Sequence, residues 1–306
     1  MAVHQGAAFL RDQLDSFTAQ TGVDWSLVVS DDSPDPDDGS GAILQGFQAE
    51  NPAREITLRT GPRAGIGANF LTLLRDAPRD VPFAAISDQD DVWLPDKLAC
   101  AVAMIGDNTD MIPTLYCART MVVEADLSEV GVSPAFGHAP AFENALVQSI
   151  GGGNTMVLNR AALDLVAEAA REVLAGPGSV VVHDWWLYQI ISGCGGVVLR
   201  DDRPALLYRQ HGGNAIGANR SFGARVGRAA AVLGGRLRRW NRINMAALAV
   251  SEHRFTPAAR RALTHYRAAQ RGMVWDRLAA LRASGAWRQG RVDTVALYLA
   301  CALGQL

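Results

Sequence analysis

Four acidic residues, Asp88, Asp90, Asp91 and Asp96, and the chain's one lysine, Lys97, fall within the short stretch SDQDDVWLPDKL. Carboxylates this close repel one another, and taking them out of water is costly. A hard divalent cation relieves both problems. Mg2+ and Mn2+ take oxygen ligands, usually one or two protein carboxylates with phosphate oxygens and water completing the shell. The plainer alternative is a solvated acidic turn in which Asp91 caps the next helix. A second candidate, Asp184 in HDWW, lies far along the chain. An aspartate at a helix start can cap that helix, a role compatible with a place in a site. Around it, His183 reads as a structural neighbour, and Trp185 and Trp186 offer aromatic faces that could wall a ligand site. Adjacent helical residues point to different faces, so at least one tryptophan belongs to the core. The glycines of GGGN, Gly152 and Gly153 among them, allow either close approach of a ligand or a simple turn.

The elements that must position these residues are legible in the hydrophobic pattern. FLRDQLDSFTAQ places Leu10, Leu14 and Phe17 on one helical face, and WSLVVS follows as a buried strand ending at Asp31-Asp32. EITLR is a second strand, GPRAGIG a glycine loop, and ANFLTLLRDA a helix opened by Asn69. PFAAIS is a strand that runs directly into the acidic stretch. LPDKLACAVAMI is a helix, TLYCA and TMVVEA two strands, and residues 124–144 a long connection. TMVLN, RAALDLVAEAAREVLAG, HDWWLYQIIS, GVVLR and ALLYRQ read as strand, helix, helix, strand and strand. Alternating elements of this kind predict an α/β fold with a mixed, mostly parallel sheet. In such a sheet ligands bind beyond the carboxyl ends of the strands, where Asp32, the glycine loop with Arg63, and Asp88 to Asp91 all fall. Arg63 there can meet a phosphate, and the helix start at Asn69 favours anions.

With 306 residues, 49% apolar and 20% charged, the chain is globular, and its four scattered cysteines form no CxxC pair. Charge is divided unevenly. Residues 215–306 hold sixteen arginines against Glu252, Asp276 and Asp293, so the strongly acidic balance belongs to the first part. Strand signals stop after about residue 213, which sets the domain boundary between 213 and 220. Residues 1–214 form one domain and 215–306 an arginine-rich helical region.

The motifs SDD, GPRAGIGANFL, SDQDDVWLPDKL, GGGNTMVLNR, HDWWLYQIISGCGGVV and LLYRQHGGN stand in the order and spacing of the family-2 glycosyltransferases, and the chain resembles their bacterial rhamnosyltransferase-like members over residues 6–214. The resemblance implies a single Rossmann-like, GT-A-type nucleotide-sugar-binding domain and an inverting, metal-dependent sugar transfer. Carried over by position, Asp32 reads the nucleobase, Arg63 and Asn69 lie near the donor, and Asp88 lies near the ribose or the metal. Asp90 holds Mg2+ or Mn2+, His211 approaches the metal or diphosphate, and Asp184 is the base. A donor such as dTDP-rhamnose and a glycan or lipid-linked glycan acceptor of surface polysaccharide synthesis follow from the same resemblance. Family members open with a full apolar strand, of which only Ala2 remains here, so the first strand reads as truncated, through a late annotated start or a real loss.

Two rival readings carry different signatures. A sugar nucleotidyltransferase calls for a basic glycine-rich triphosphate loop near the start of the chain. A catalytically degenerate relative that binds nucleotide or glycan without turnover is favoured by the short start and disfavoured by intact Asp90, Asp184 and His211. The basic C-terminal helices suit the surface of an anionic membrane, packing against the acidic domain, or nucleic acid; no recognition motif supports the last, and no nucleic-acid partner is expected. No run of apolar residues is long enough to span a bilayer. The expected location is the cytoplasm, at the inner face of the membrane.

Overall fold

The computed structural model describes residues 1–35, 38–106, 111–212 and 236–306. The boundary expected between 213 and 220, the last two residues of YRQHGGN and the start of the RAAAVLGGRLRRWNRI helix lie outside the described residues. The first half builds a parallel three-stranded sheet from β1 (Ala2–Val3), β2 (Leu27–Asp31) and β3 (Ile56–Thr60). Its register runs from Leu27 opposite Ile56 to Asp31 opposite Thr60. Helices α1 (Leu10–Thr18), α2 (Ser40–Glu50) and α3 (Ile66–Arg75) connect these strands and flank them. On α1 the expected Leu10, Leu14 and Phe17 are buried, joining Val29, Phe47 and Trp93 in one apolar cluster.

A second, six-stranded sheet carries β4 (Phe83–Ala85), β5 (Val92–Trp93), β6 (Thr114–Val123), β7 (Glu129–Val132), β8 (Val157–Asn159) and β9 (Val197–Arg209). The strands of this sheet are antiparallel except for β6 and β9, which run parallel from Thr114 opposite Val197 to Val123 opposite Arg209. The sheet is therefore mixed as expected, with a smaller parallel share than the alternation of elements led one to expect. The two sheets meet where the Ala2 amide donates to the Ser87 carbonyl at 3.2 Å. The short first strand is thus present as two residues paired with Ser30 and Asp31. Along its line, between β2 and β4, lies an apolar cavity of about 440 Å³ lined by Met1, Leu27, Phe70, Phe83 and Ile86.

Helices α4 (Lys97–Ile105), α5 (Phe142–Ala145), α6 (Arg160–Ala175) and α7 (His183–Gly193) complete the domain. Asn159 starts α6 by accepting from the Ala162 amide at 2.9 Å, while its amide group donates to the Ile112 carbonyl. The C-terminal region forms α8 (Arg236–Ser251), α9 (Pro257–Ala268), α10 (Val274–Ser284) and α11 (Arg291–Ala302). Thr256 caps α9 ahead of a proline in its first turn. These helices fold back onto the α/β part of the chain: Met245, Leu248, Phe255, Leu263, Tyr266 and Leu297 share one core with Leu146, Val166 and Trp186. Polar contacts reinforce the join, since Glu172 on α6 pairs with Arg254 at 2.6 Å and accepts from Ser251 at 2.7 Å.

Several elements differ from expectation for identifiable reasons. TLYCA and TMVVEA are one strand, β6, as are GVVLR and ALLYRQ in β9. Register shifts at Ala118–Met121 absorb the polar residues that had suggested breaks. Helix α2 went unread, because its weakly amphipathic sequence follows an acidic turn. The long 124–144 connection contains β7 and opens into α5.

Candidate functional site

The acidic stretch sits between β4 and β5, and β5 is the clamp that aims it. Val92 and Trp93 pair antiparallel with Leu207 and Leu206 of β9, which draws Asp90 and Asp91 against Arg209 and His211. Asp91 is wholly buried and accepts from the Arg209 amide at 3.1 Å and from the Asn154 side chain. It therefore anchors the loop, and the plainer alternative of a capping turn does not apply: α4 begins at Lys97, after Asp96, with no side-chain cap. Arg209 is the hub of this corner. Its guanidinium donates to the Asp90 carbonyl at 3.0 Å, the Ala125 carbonyl at 2.5 Å and the Asp12 carboxylate at 2.6 Å.

With its neighbour anchored, the Asp90 side chain is left to face His211, whose Nε2 lies 2.9 Å from Oδ2. Phe9 lies against the His211 ring with centroids 4.8 Å apart. On the other side of the acidic loop, Gln89 exchanges two hydrogen bonds with the His4 backbone, at 2.6 and 2.9 Å, and so fixes the loop to the end of β1. Lys97 is buried, its Nζ over the Trp93 ring and without a hydrogen-bond partner among the described residues.

From the acidic loop, Asp88, Gln89 and Asp90 open onto a cavity of about 850 Å³, within the usual range for a small-molecule site. Asp32, Asn69, Asp88, Asp90, Gly152, Gly153, Asp184 and Trp185 all line it. Asp32 holds the glycine loop by accepting from the Arg63 amide, and Gly61 is required there because a Cβ would lie 2.6 Å from Asp32 Oδ1. Arg63 itself adopts a left-handed backbone (φ 54°) and its exposed side chain does not line the cavity, so what reaches the site from this residue is its amide. Asn69 lies inside the first turns of α3, which begins at Ile66, and its amide group is engaged twice with Ser30, at 2.5 and 3.1 Å. The expectation that it opens the helix is corrected accordingly.

Asp184, in the first turn of α7, accepts from the Trp185 amide and from the Gly153 amide. Trp185 donates from its indole to the Ala145 carbonyl at 2.6 Å. Trp186 is fully buried in the main core and does not line the cavity, which corrects its expected place in the wall of a ligand site. Gly153 is required by proximity: a Cβ would lie 2.0 Å from the His183 ring. His183 stacks on Phe70 at 3.5 Å, and neither ring nitrogen has a hydrogen-bond partner among the described residues.

The charges are held at a cost. Desolvation first, then the negative charges of Asp90, Asp91 and Asp184, push Asp88 well above the usual carboxylate range. Desolvation and Asp90 raise Asp91 to about 7, with Asn154, the Arg209 amide and Lys97 opposing. Desolvation alone raises Asp184 to about 7, and its two backbone donors oppose it. Burial lowers His183 to about 3, so the ring is neutral, and it holds Lys97 well below the ordinary lysine value. Among the described residues no three His, Cys, Asp or Glu side chains are arranged to hold a metal by themselves. The partly buried Asp90 carboxylate, with an imidazole beside it and other acids around the cavity, nevertheless suits a hard cation that draws its remaining ligands from a bound phosphate.

Sequence reasoning missed Arg209, Asn154, Asp12 and three cavity arginines, Arg119, Arg200 and Arg288. Two of them left a trace: Arg209 stands between the strand ALLY and His211, and Asn154 is the asparagine of GGGN.

The family model described as Glycosyl transferase family 2 matches residues 1–163. The chain is 28% identical over 236 residues to the dTDP-rhamnosyl transferase RfbG of Shigella flexneri, covering 74% of this chain and 77% of that protein. It is 41% identical over 90 residues to the succinoglycan biosynthesis protein ExoW of Rhizobium meliloti (strain 1021), covering 29% of this chain and 27% of that one. Among solved structures, the fold resembles S. aureus TarS 1–349 in complex with UDP-GlcNAc, with a TM-score of 0.53 at 14% identity, covering 91% of this chain and 77% of the other.

Proposed function

The chain belongs to glycosyl transferase family 2 and is a glycosyltransferase; on that premise we propose that it is an inverting, cation-dependent enzyme that moves a sugar from a nucleoside-diphosphate donor to a glycan acceptor. The observation that carries the reading is the shared cavity, with Asp90 at one part of its wall and Asp184 at another, and His211 bonded to Asp90 behind that wall.

In this reading Asp32 and the backbone of the glycine loop receive the nucleoside, and the diphosphate lies beside Asp88 and Asp90. A bound Mg2+ or Mn2+, held by Asp90 with His211 close by, would neutralise the charge that builds on the leaving diphosphate. Asp184 accepts the proton of the acceptor hydroxyl while that oxygen bonds to the anomeric carbon and the carbon–phosphate oxygen bond breaks. A carboxylate raised to about 7 is well matched to this task at neutral pH. The two amides that bond Asp184 hold it in place, and Trp185 walls the acceptor.

The similarity to a dTDP-rhamnosyl transferase makes dTDP-rhamnose the first donor to test. Arg119, Arg200 and Arg288 on the cavity wall favour an acceptor that carries negative charge, such as the diphosphate of a lipid-linked glycan. Such acceptors place the enzyme at the cytoplasmic face of the membrane. No helix among the described residues is long and apolar enough to cross it.

Calorimetric titration with dTDP, UDP and GDP, each with and without Mn2+, tests the reading. Manganese-dependent binding of one of them is the expected result. Cation-independent binding would remove the metal from the proposal, and silence toward all three would favour a chain that has lost its donor site.

A further inference from the structure

Helix α11 is apolar on two faces. Leu297, Ala300 and Cys301 are buried against the rest of the C-terminal region. Val292, Val295, Leu299 and Leu303 recur at helical spacing on another face and are 82%, 60%, 60% and 62% exposed. At the start of α10, Met273 and Trp275 are exposed to 74% and 77%. The two groups are neighbours: the Arg277 guanidinium, one turn from Met273, donates to the Ala302 carbonyl at 2.6 Å and lies 3.4 Å from where a Gly304 Cβ would be. Single exposed apolar residues are ordinary, but a row of six across two packed helices marks an interaction surface.

The residues around the row identify what covers it. Between 271 and 303 stand five arginines and only two acids, Asp276 and Asp293. Arg271, Arg282 and Arg291 are exposed, and Arg282 lies on the same face of α10 as Trp275. Long aliphatic side chains, an exposed tryptophan and a basic rim are the composition of a helix pair lying in a membrane interface. A second copy of the chain would bring one basic rim against another, which opposes self-association. The row also lies close to the site. Arg288 lines the catalytic cavity, its backbone is bonded to Thr294 at 3.0 Å, and the row begins at Val292.

We propose that the exposed face of α10 and α11, with Trp275, Val292, Val295, Leu299 and Leu303 inserted, docks on an anionic lipid bilayer and sets the acceptor side of the cavity at the headgroup level. The surface stands on its own observations; only its service to a lipid-linked acceptor rests on the transferase reading.

Flotation of the full chain with vesicles of phosphatidylglycerol and phosphatidylcholine, against vesicles of phosphatidylcholine alone, is the test. The wild type is expected to float with the anionic vesicles, less so at high salt. The Val295→Asp/Leu299→Asp variant should lose at least about tenfold of that binding while keeping its circular dichroism and its nucleotide binding by calorimetry. Arg271→Glu/Arg291→Glu should weaken it more modestly. Wild-type protein that stays unbound, or an aspartate variant that floats equally well, overturns the proposal. So does a concentration-dependent dimer that the same aspartates abolish. Flotation without nucleotide binding would instead sink the transferase reading and leave this surface standing.

Discussion

The catalytic domain and the C-terminal helices depart from ordinary folding practice in opposite directions. The first confines carboxylates in and behind a cavity, where Asp88, Asp91 and Asp184 are all displaced toward their protonated forms. The second turns Trp275, Val292 and Leu299 outward, into water. Each arrangement costs free energy in the isolated chain, and on the reading proposed above each cost would be relieved by something brought from outside, a cation and diphosphate in one case and lipid in the other. The contrast predicts that the two regions can be broken separately.

The largest expected effect is on the first region. Asp90→Ala should abolish manganese-dependent nucleoside-diphosphate binding in calorimetry and reduce transfer below detection. Asp184→Asn should keep that binding and lose about 10²–10⁴-fold in turnover; full turnover would remove Asp184 as the base. The same variant carries a pH signature. The folded-state value of about 7 lies above the ordinary 3.8, so folding favours the protonated acid, and the penalty on the wild type grows as pH rises from 4 to 7 and is then complete. Asp184→Asn should therefore be more stable than wild type at pH 8, by about 4 kcal/mol, with little difference at pH 4, as read from urea unfolding. Wild-type turnover should rise with pH through about 7 for the same reason.

Arg209→Met should cost about 3 kcal/mol of stability, because a buried hub of ion pair and carbonyl bonds is removed. It should weaken cation-dependent nucleotide binding with it. Gly153→Ala should lower turnover severalfold with little change in nucleotide affinity, since the added methyl displaces His183 beside Asp184. The smallest effect sharpens the comparison most. Val295→Asp/Leu299→Asp should transfer to a water-soluble acceptor at the wild-type rate, and a defect there would mean the two regions are not separable.

What the sequence disclosed was local. The alternation on α1, the acids after β4 and the helix ending at Gly176 were all visible as short patterns. The interior strands were harder. Arg119 and Thr120 interrupt β6 and Arg203 and Pro204 interrupt β9, and only pairing with each other through register shifts makes each one strand. In the site, residue types announced the acids but not their partners. Asp90 and Asp91 look equivalent in sequence, yet one faces His211 and the other is sealed against Asn154 and the Arg209 amide. That division is set by β5 pairing with β9, a long-range contact with no local signature. Trp185 and Trp186 were separated by helix geometry in the same way, one toward the cavity and one into the core.

The bond between Arg209 and Asp12 joins residues 197 apart in the chain. Closing so long a loop is entropically expensive and is rewarded only after the sheets between have formed. The acid corner therefore assembles near the end of folding and is among the first features to open on warming. Activity should fade at temperatures where the helices still show full ellipticity, and bound nucleotide with its cation should delay that loss by linking the same distant segments.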